Sequence, residues 1–137
     1  MAENSVTNNI IEIDKAELLE NTMRMKNKGL RLSQACAAYA DGKFELSYSF
    51  SDDETYEYTT LRFIVGLCEP VASISEFYPY ASFYENEMKE LFGVNIEMIR
   101  FDYHDKLYRI KKETPLLPEE GRVLKKQEER EAGETNV

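Results

Sequence analysis

Residues 43–51 show the most regular hydrophobic pattern in the chain. Apolar and polar side chains alternate there, which is the period of a strand with water on one side, and the apolar positions are Phe44, Leu46, Tyr48 and Phe50. Residues 55–67 are β-branched and aromatic and predict a second strand. Residues 30–40 are small and apolar and predict a third, buried strand. Asp41-Gly42 and the polar run 51–54 supply the turns, so the pattern predicts an antiparallel meander.

Helical periodicity is present on both sides of this meander. Residues 15–28 predict a helix that opens with a capping box of Asp14 and Glu17 and ends at Gly29. Before it, residues 8–14 predict a short strand or a lead-in. Helices before and after the strands can cover their apolar face, so we predict an α+β domain. Its antiparallel sheet of three to four strands is covered by the N-terminal helix and by a central aromatic-rich helix.

The central helical region follows the meander. Residues 73–76 (Ser-Ile-Ser-Glu) form a second candidate capping box that would open it, and Pro79 falls in the first turn of a second helical piece. Apolar side chains then recur at helical spacing on one side: Phe83, Tyr84, Met88, Leu91 and Phe92. The polar residues are predicted to point elsewhere: Ser82, Glu85, Asn86, Lys89 and Glu90. Gly93 stands where a left-handed C-terminal residue is needed, and residues 94–101 predict a short edge strand.

The central helix carries more aromatic surface than so short an element can bury by itself, which is the first indication of a docking protein. The chain has 137 residues, the size of one domain, and we assign residues 1–118 to it. Residues 119–137 are charged and have few large apolar side chains, so burial offsets little of their ordering entropy. We expect this tail to be disordered alone or ordered by a partner, with residues 123–132 helical in the second case.

Charge and hydropathy exclude several classes of partner. The formal net charge of −9 argues against nucleic acid and against direct binding to anionic lipid, because both need clustered Lys and Arg. No run approaches the roughly 18 apolar residues of a membrane span. The first residues, Met-Ala-Glu-Asn-Ser, lack the basic and apolar regions of a secretory signal. We therefore expect a cytoplasmic protein that reaches a membrane only through partner subunits.

Candidate reactive residues are few. Cys36 and Cys68 each stand alone in an apolar context, so we expect buried, reduced thiols, and an iron–sulfur cluster would need about four. His104 is the only histidine and has carboxylates beside it in sequence, which is too little for a general base without a pocket. The residues predict no catalytic, cofactor-binding or metal-binding site. A free-standing small enzyme or ligand-binding domain that uses His104 and nearby acids stays the alternative.

The remaining candidates are types that favour protein contacts. Glu85 and Glu87 are two residues apart and cannot share a face of a helix, so we expect one solvated and one partly buried acid. Tyr103, Tyr108 and Arg109 combine large contact area with a polar tip, as binding hot spots do.

A known family shares several of these motifs. Residues 84–87 (Tyr-Glu-Asn-Glu) followed by 91–93 (Leu-Phe-Gly) resemble the Tyr-Glu-Arg-Glu…Leu/Met-Phe-Gly signature of the 30 kDa subunit family of respiratory complex I. Residues 70–81 fit the segment before that signature. Matches to the family's Gly-His-Pro-Asp-Leu-Arg-Arg-Ile run follow at His104, Leu107, Arg109 and Ile110. Asn86 replaces the signature arginine, which removes a bidentate donor. The resemblance spans residues 30–118.

The resemblance implies a cofactor-free accessory subunit in the peripheral arm of a redox assembly, with Glu87 as a packed or interfacial partner for an arginine. The short chain and residues 102–110 are most similar to the version in energy-converting (Ech-type) membrane-bound [NiFe] hydrogenases. That version implies a large and a cluster-bearing small hydrogenase subunit as partners, which hold the Ni–Fe centre and iron–sulfur clusters, with ferredoxin acting indirectly. The 30 kDa subunit of an NADH:quinone oxidoreductase, a respiratory complex I proper, is the alternative. The motif or interface residues are Tyr84, Glu85, Glu87, Phe92, Gly93, Tyr103, His104, Tyr108 and Arg109.

Overall fold

A computed structural model describes residues 8–108 and 110–135. Six strands and three helices follow one another along the chain, and a short 3₁₀ turn, Lys15–Glu17, leads into the first helix. The elements are β1 (Asn8–Glu12), α1 (Leu18–Asn27), β2 (Arg31–Ala40), β3 (Lys43–Ser51), β4 (Tyr58–Gly66), β5 (Val71–Ala72), α2 (Ala81–Phe92), β6 (Ile96–Glu97) and α3 (Glu119–Thr135).

The main sheet has the order β1-β4-β3-β2. Strands β2, β3 and β4 form the predicted antiparallel meander, and the first turn has positive φ at Asp41 and Gly42. Strand β1 adds a fourth strand parallel to β4, with Ile11 opposite Leu61. Strands β5 and β6 form a separate parallel pair. The predicted α+β class is confirmed, with a parallel fourth strand that the periodicity did not indicate.

One face of the sheet carries the core. The four alternating apolar residues of β3 are all completely buried, which confirms the predicted alternation: Phe44, Leu46, Tyr48 and Phe50. Leu61, Phe63 and Val65 of β4 lie on the same face. The helices contribute further buried residues, among them Leu18, Met25 and Met88. Burial of each large side chain contributes roughly 1.5–3 kcal/mol, which is why this layer fixes the position of α2.

The first helix matches its predicted ends. Glu17 and Asp14 form the capping box, in which the Glu17 carboxylate accepts a 3.4 Å hydrogen bond from the backbone N–H of Asp14. After Lys28 the chain turns at Gly29, which has φ +80.

The prediction of a buried strand over residues 30–40 is wrong. Within β2 only Ala35 is buried, because this strand lies at the edge of the sheet and exposes one face to solvent. For the same reason the prediction of a buried thiol fails at Cys36, which is exposed, while Cys68 is half-buried.

The capping box proposed at residues 73–76 does not open a helix. The chain makes a single turn there, in which the Ile74 carbonyl accepts hydrogen bonds from the N–H groups of Phe77 and Tyr78, both at 3.0 Å. The Ser73 hydroxyl accepts from the Ser75 N–H at 3.0 Å, and it also lies within hydrogen-bond distance of a buried carboxylate of α2 and of the Ser75 hydroxyl. Helix α2 begins only at Ala81, so Pro79 precedes it.

The charged segment after residue 118 is helical from Glu119 to Thr135. Its first turns contact the domain: a Cβ on buried Gly121 would lie 2.8 Å from Tyr39, and Leu124 approaches Gly42. Residues 126–133 are exposed. The sequence led us to expect a tail without structure of its own. Gly121 and Leu124 pack the first turns of α3 against the domain, and Arg122 and Lys125 donate to the carbonyls of Thr114 and Gly93.

Candidate docking surface on the central helix

Helix α2 is oriented differently from the sequence expectation. Four of its polar residues are buried instead of pointing to solvent: Ser82, Glu85, Asn86 and Glu90. Of the predicted apolar side, Met88 is buried, while Phe83 is 52% exposed. The helix lies between the sheet and the irregular segment that follows β6. Its buried polar side chains are stable because they bind backbone and hydroxyl groups of the turns around them.

Glu85 is the fully buried acid of the helix. Its Oε2 accepts from the Tyr48 hydroxyl at 3.0 Å and from the Ile74 N–H at 3.2 Å, and its Oε1 accepts from the Ser73 hydroxyl at 2.7 Å. Burial raises the pKa of Glu85 to about 7, and the three hydrogen bonds oppose that shift. The family resemblance implied that Glu87 is a packed or interfacial partner for an arginine. The structure places Glu87 half-buried at the surface, and its pairing with an arginine stays a prediction.

The hydroxyl groups next to Glu85 can serve both of its protonation states. Ser73 Oγ lies 2.7 Å from Ser75 Oγ and also accepts from the Ser75 N–H, and Ser75 Oγ accepts from the Arg100 N–H at 2.8 Å. When Glu85 is charged, Ser73 donates to it. When Glu85 is protonated it can donate to Ser73, which then donates to Ser75. Burial raises the pKa of Tyr48 well above its usual value, and the charge of Glu85 adds to that, so Tyr48 stays a donor.

Asn86 and Glu90 hold the segment that passes over the outer side of α2. The Asn86 amide donates to the Phe101 carbonyl at 2.6 Å and accepts from the Tyr103 N–H at 2.9 Å. Both oxygens of Glu90 lie 3.0 Å from the Tyr108 N–H. Sequence reasoning placed these two residues away from the apolar side of the helix. One signal in the sequence could have indicated their role: Asn86 and Glu90 lie one helical turn apart, so their hydrogen-bonding side chains point to the same side of the helix.

Exposed aromatic side chains of α2, its N-cap and the anchored segment form a surface, which we call the aromatic surface: Tyr80, Phe83, Tyr103 and Tyr108. The rings of Phe83 and Tyr103 stack with centroids 6.3 Å apart. The Tyr108 hydroxyl donates to Glu87 Oε2 at 3.2 Å, and the charge of Glu87, more than burial, raises the pKa of Tyr108. Tyr103 is 41% exposed and Tyr108 43%. The structure thus brings together three of the predicted contact residues, Glu87, Tyr103 and Tyr108.

Three other motif residues have structural positions at the inner side and end of α2. The Tyr84 hydroxyl donates to the Ser33 carbonyl of β2 at 3.2 Å. Phe92 is half-buried and meets Phe44 edge to face at 6.5 Å. Gly93 has φ +84, which confirms the predicted left-handed helix end, and its carbonyl accepts from Lys125 Nζ at 2.6 Å.

His104 does not join the aromatic surface. The His104 side chain is 82% exposed, and its backbone N–H donates to Asp102 Oδ1 at 2.7 Å. With Asp105 it lines an open cleft of about 760 Å³ between the end of α2 and the start of α3. Arg109 lies outside the described residues, so its predicted role stays a prediction.

Metal and membrane features were searched in residues 8–108 and 110–135. No group of three or more His, Cys, Asp or Glu side chains is placed there to hold a metal ion. Likewise, no helix within these ranges combines the length and the apolar character needed to cross a bilayer.

The fold and this surface define the class: a small α+β domain that presents stacked aromatic rings held in place by buried polar side chains. The sequence profile of the family described as "Respiratory-chain NADH dehydrogenase, 30 Kd subunit" matches residues 11–120. The chain therefore belongs to this family, which confirms the resemblance seen in the helix motif.

A solved structure shows the same fold. A chain from "Structure of the membrane-bound sulfane sulfur reductase (MBS), an archaeal respiratory membrane complex" superposes with a TM-score of 0.72 at 18% sequence identity. The match covers 89% of this chain and 78% of that one. A comparison with curated proteins finds no match.

Proposed function

We propose that this chain is a non-catalytic, cofactor-free accessory subunit that docks onto neighbouring subunits of a membrane-bound redox complex. One observation carries the proposal: the backbone N–H groups of Tyr103 and Tyr108 are held by the buried side chains of α2, and Phe83 stacks on Tyr103, yet all three aromatic residues remain about half exposed. Large aromatic side chains held in fixed positions at a surface are the residues that dominate binding energy in protein interfaces.

Glu87 gives this surface its polarity. Its carboxylate accepts from the Tyr108 hydroxyl at 3.2 Å and lies one helical turn from Phe83. A carboxylate with aromatic residues near it suits a guanidinium group, which pairs with the acid and stacks on a ring. The net charge of −9 favours partners with basic surfaces in the same way.

The assembly we propose is a membrane-bound energy-converting [NiFe] hydrogenase, in which reduced ferredoxin drives hydrogen evolution and ion translocation. There the chain contacts the large subunit and the cluster-bearing small subunit, and it reaches the cytoplasmic side of the membrane through them. The Ni–Fe centre and iron–sulfur clusters belong to those partners. Support comes from the sequence of residues 102–110. The family match itself favours a second candidate, the corresponding subunit of an NADH:quinone oxidoreductase. The structural neighbour comes from a complex of a third kind, an archaeal respiratory membrane complex.

Affinity purification of the tagged full chain from its native membranes in mild detergent, with metal and flavin analysis, tests this proposal. Nickel and iron in the purified assembly support the hydrogenase. Iron and flavin without nickel support the NADH:quinone oxidoreductase and contradict the hydrogenase. Recovery of the chain alone, with or without a stoichiometric metal of its own, contradicts the docking function.

A further inference from the structure

Strand β2 forms an edge of the main sheet over ten residues. It pairs with β3 on one side, and no described strand pairs with its other side. The hairpin to β3 has a two-residue turn, with Ala40 opposite Lys43. In such a hairpin the two residues that flank the turn exchange backbone hydrogen bonds with each other. Going back along β2 from Ala40, residues that bond to β3 alternate with residues whose N–H and C=O point away from β3. Ala35, Ala37 and Tyr39 therefore direct their backbone groups toward the open edge.

Hydrogen bonds in the structure agree with this assignment. Ser33 belongs to the same alternate set, and its carbonyl accepts from the Tyr84 hydroxyl of α2 instead of from β3. The register of β2 shifts between Leu32 and Gln34, so the irregular part of the edge is the part that Tyr84 covers. Among the described residues, no strand or hydrogen bond takes up the outward backbone groups of the regular stretch from Gln34 to Ala40, although the Tyr39 ring packs against Gly121 of α3.

This open stretch lacks the features by which proteins block an edge strand. Edges are normally short, charged, interrupted by proline or covered. Residues 32–40 carry no charged residue, no proline and no glycine, and most of their side chains are small. At the other edge of the sheet, the described part of β1 has five residues and ends at Glu12.

We propose that an extended strand of a partner subunit adds to β2 and continues the sheet. A row of alternating backbone donors and acceptors is complementary to one kind of ligand, an extended main chain. The small side chains of Ala35, Ala37 and Ala38 leave room for β-branched or aromatic side chains on the incoming strand, which strengthen cross-strand pairs. The edge also borders α2 through Tyr84, whose sequence neighbour Phe83 belongs to the aromatic surface.

A second copy of this chain is a poorer occupant. Pairing of β2 with itself places small side chains opposite small side chains and buries little apolar area. Two chains with a net charge of −9 each also repel one another. The inference rests on the proposed function, because it takes the strand from a subunit of the same assembly.

Residue-level hydrogen exchange on the free full chain and on the purified complex tests the inference. In the free chain the outward N–H groups of Ala35, Ala37 and Tyr39 should exchange fast, and those of Cys36 and Ala38, which bond to β3, slowly. In the complex the outward amides should slow by about tenfold or more, because they gain hydrogen bonds. A complex that forms without this protection overturns the added strand and leaves the docking function standing. Failure to form any complex overturns both.

Two further measurements identify the occupant. Ala37→Pro removes one outward N–H and should reduce recovery of the complex severalfold, whereas Ala38→Ser at an exposed position should not. Melting of the free Ala37→Pro chain establishes that it is folded. Normal recovery of a complex with folded Ala37→Pro overturns the proposal. If the outward amides of the free chain become more protected as its concentration rises, and the chain has a dimeric mass, the edge binds a second copy. That result also overturns the proposal.

Discussion

The Tyr48 hydroxyl of the central strand β3 donates to the Glu85 carboxylate of α2 at 3.0 Å, and both side chains are completely buried. This hydrogen bond joins the sheet to the helix in the middle of the apolar core. Because no ion pair involves Glu85 in residues 8–108 and 110–135, its charge is stabilised only by the three donors around it. The stability of the domain should therefore depend on pH through this residue.

The first prediction concerns the titration of Glu85. Its pKa is about 7 in the folded protein against an ordinary value of 4.5, so the folded state binds the proton more tightly than the unfolded state. The stabilising contribution is complete below about pH 4.5 and is lost as the pH rises through about 7. Over this window we expect the free energy of unfolding to fall by about 3 kcal/mol on account of Glu85.

Glu85→Gln isolates this effect from the other acids. The amide keeps one acceptor and carries no charge, so the difference in unfolding free energy between variant and natural protein should shift in favour of the variant from pH 5 to pH 8. Urea denaturation at several pH values measures the difference. A difference that stays constant across the range contradicts the assignment.

The second prediction concerns the donor to that carboxylate. Tyr48→Phe removes the 3.0 Å hydrogen bond and should cost about 1–3 kcal/mol, with the larger loss above pH 7, where Glu85 is charged. Tyr78→Phe is the matched control, because its hydroxyl donates to the uncharged Leu30 carbonyl at 2.6 Å. Its cost should be about 1 kcal/mol at every pH. Parallel pH dependence in the two variants would refute the role of Tyr48.

The third prediction concerns Asn86, which fixes the segment that carries Tyr103. Asn86→Ala leaves the Phe101 carbonyl and the Tyr103 N–H without their partner, so it should cost about 1–3 kcal/mol and speed exchange at the Tyr103 amide. Asn21→Ala in α1 removes an exposed bond to the Glu17 carbonyl and should cost less than about 0.5 kcal/mol. Unchanged exchange at Tyr103 in folded Asn86→Ala would show that the segment is held by something else.

The fourth prediction separates two reasons for a glycine at position 93, its positive φ and its close contact with neighbouring side chains. Gly29 and Gly93 both have φ near +80, but a Cβ on Gly29 meets no atom within 4 Å, whereas one on Gly93 would lie 2.9 Å from Thr114 Cγ2 and 2.7 Å from Lys125 Nζ. Gly29→Ala should cost about 1–2 kcal/mol from backbone conformation alone. Gly93→Ala should cost at least about 1 kcal/mol more. Equal losses in denaturation experiments would mean that the contact with Thr114 is easily relieved.

The sequence predicts those features that depend on local periodicity and on single backbone conformations. The alternation in β3 indicated which side chains form the core, and Gly93 indicated the end of α2. Both depend on neighbours within a few positions, so one sequence is sufficient. The family motif added the class of protein, and the family match over residues 11–120 confirms it.

Two features depend on contacts between distant residues and could not be predicted in this way. The buried state of Glu85 and Asn86 is decided by donors and acceptors at residues 73–74 and 101–103, which a helical pattern does not contain. The exposed state of β2 follows from the order of strands, because β1 pairs with β4 and leaves β2 at the edge. Polar residues can thus form the buried side of a helix when irregular segments cover them.

Co-purification of a variant with an altered aromatic surface tests docking most directly. The double variant Phe83→Ala, Tyr103→Ala removes the stacked pair, whose centroids are 6.3 Å apart, and a chain with Ile64→Ala, which is 61% exposed on the opposite face of the sheet, is the control. All three chains should melt within a few degrees of one another. We predict that the double variant recovers at most about one tenth as much partner as the natural chain, a loss equivalent to about 1.4 kcal/mol. Ile64→Ala should recover as much partner as the natural chain. Recovery of the partner at the natural level by a folded double variant would contradict the docking role of this surface.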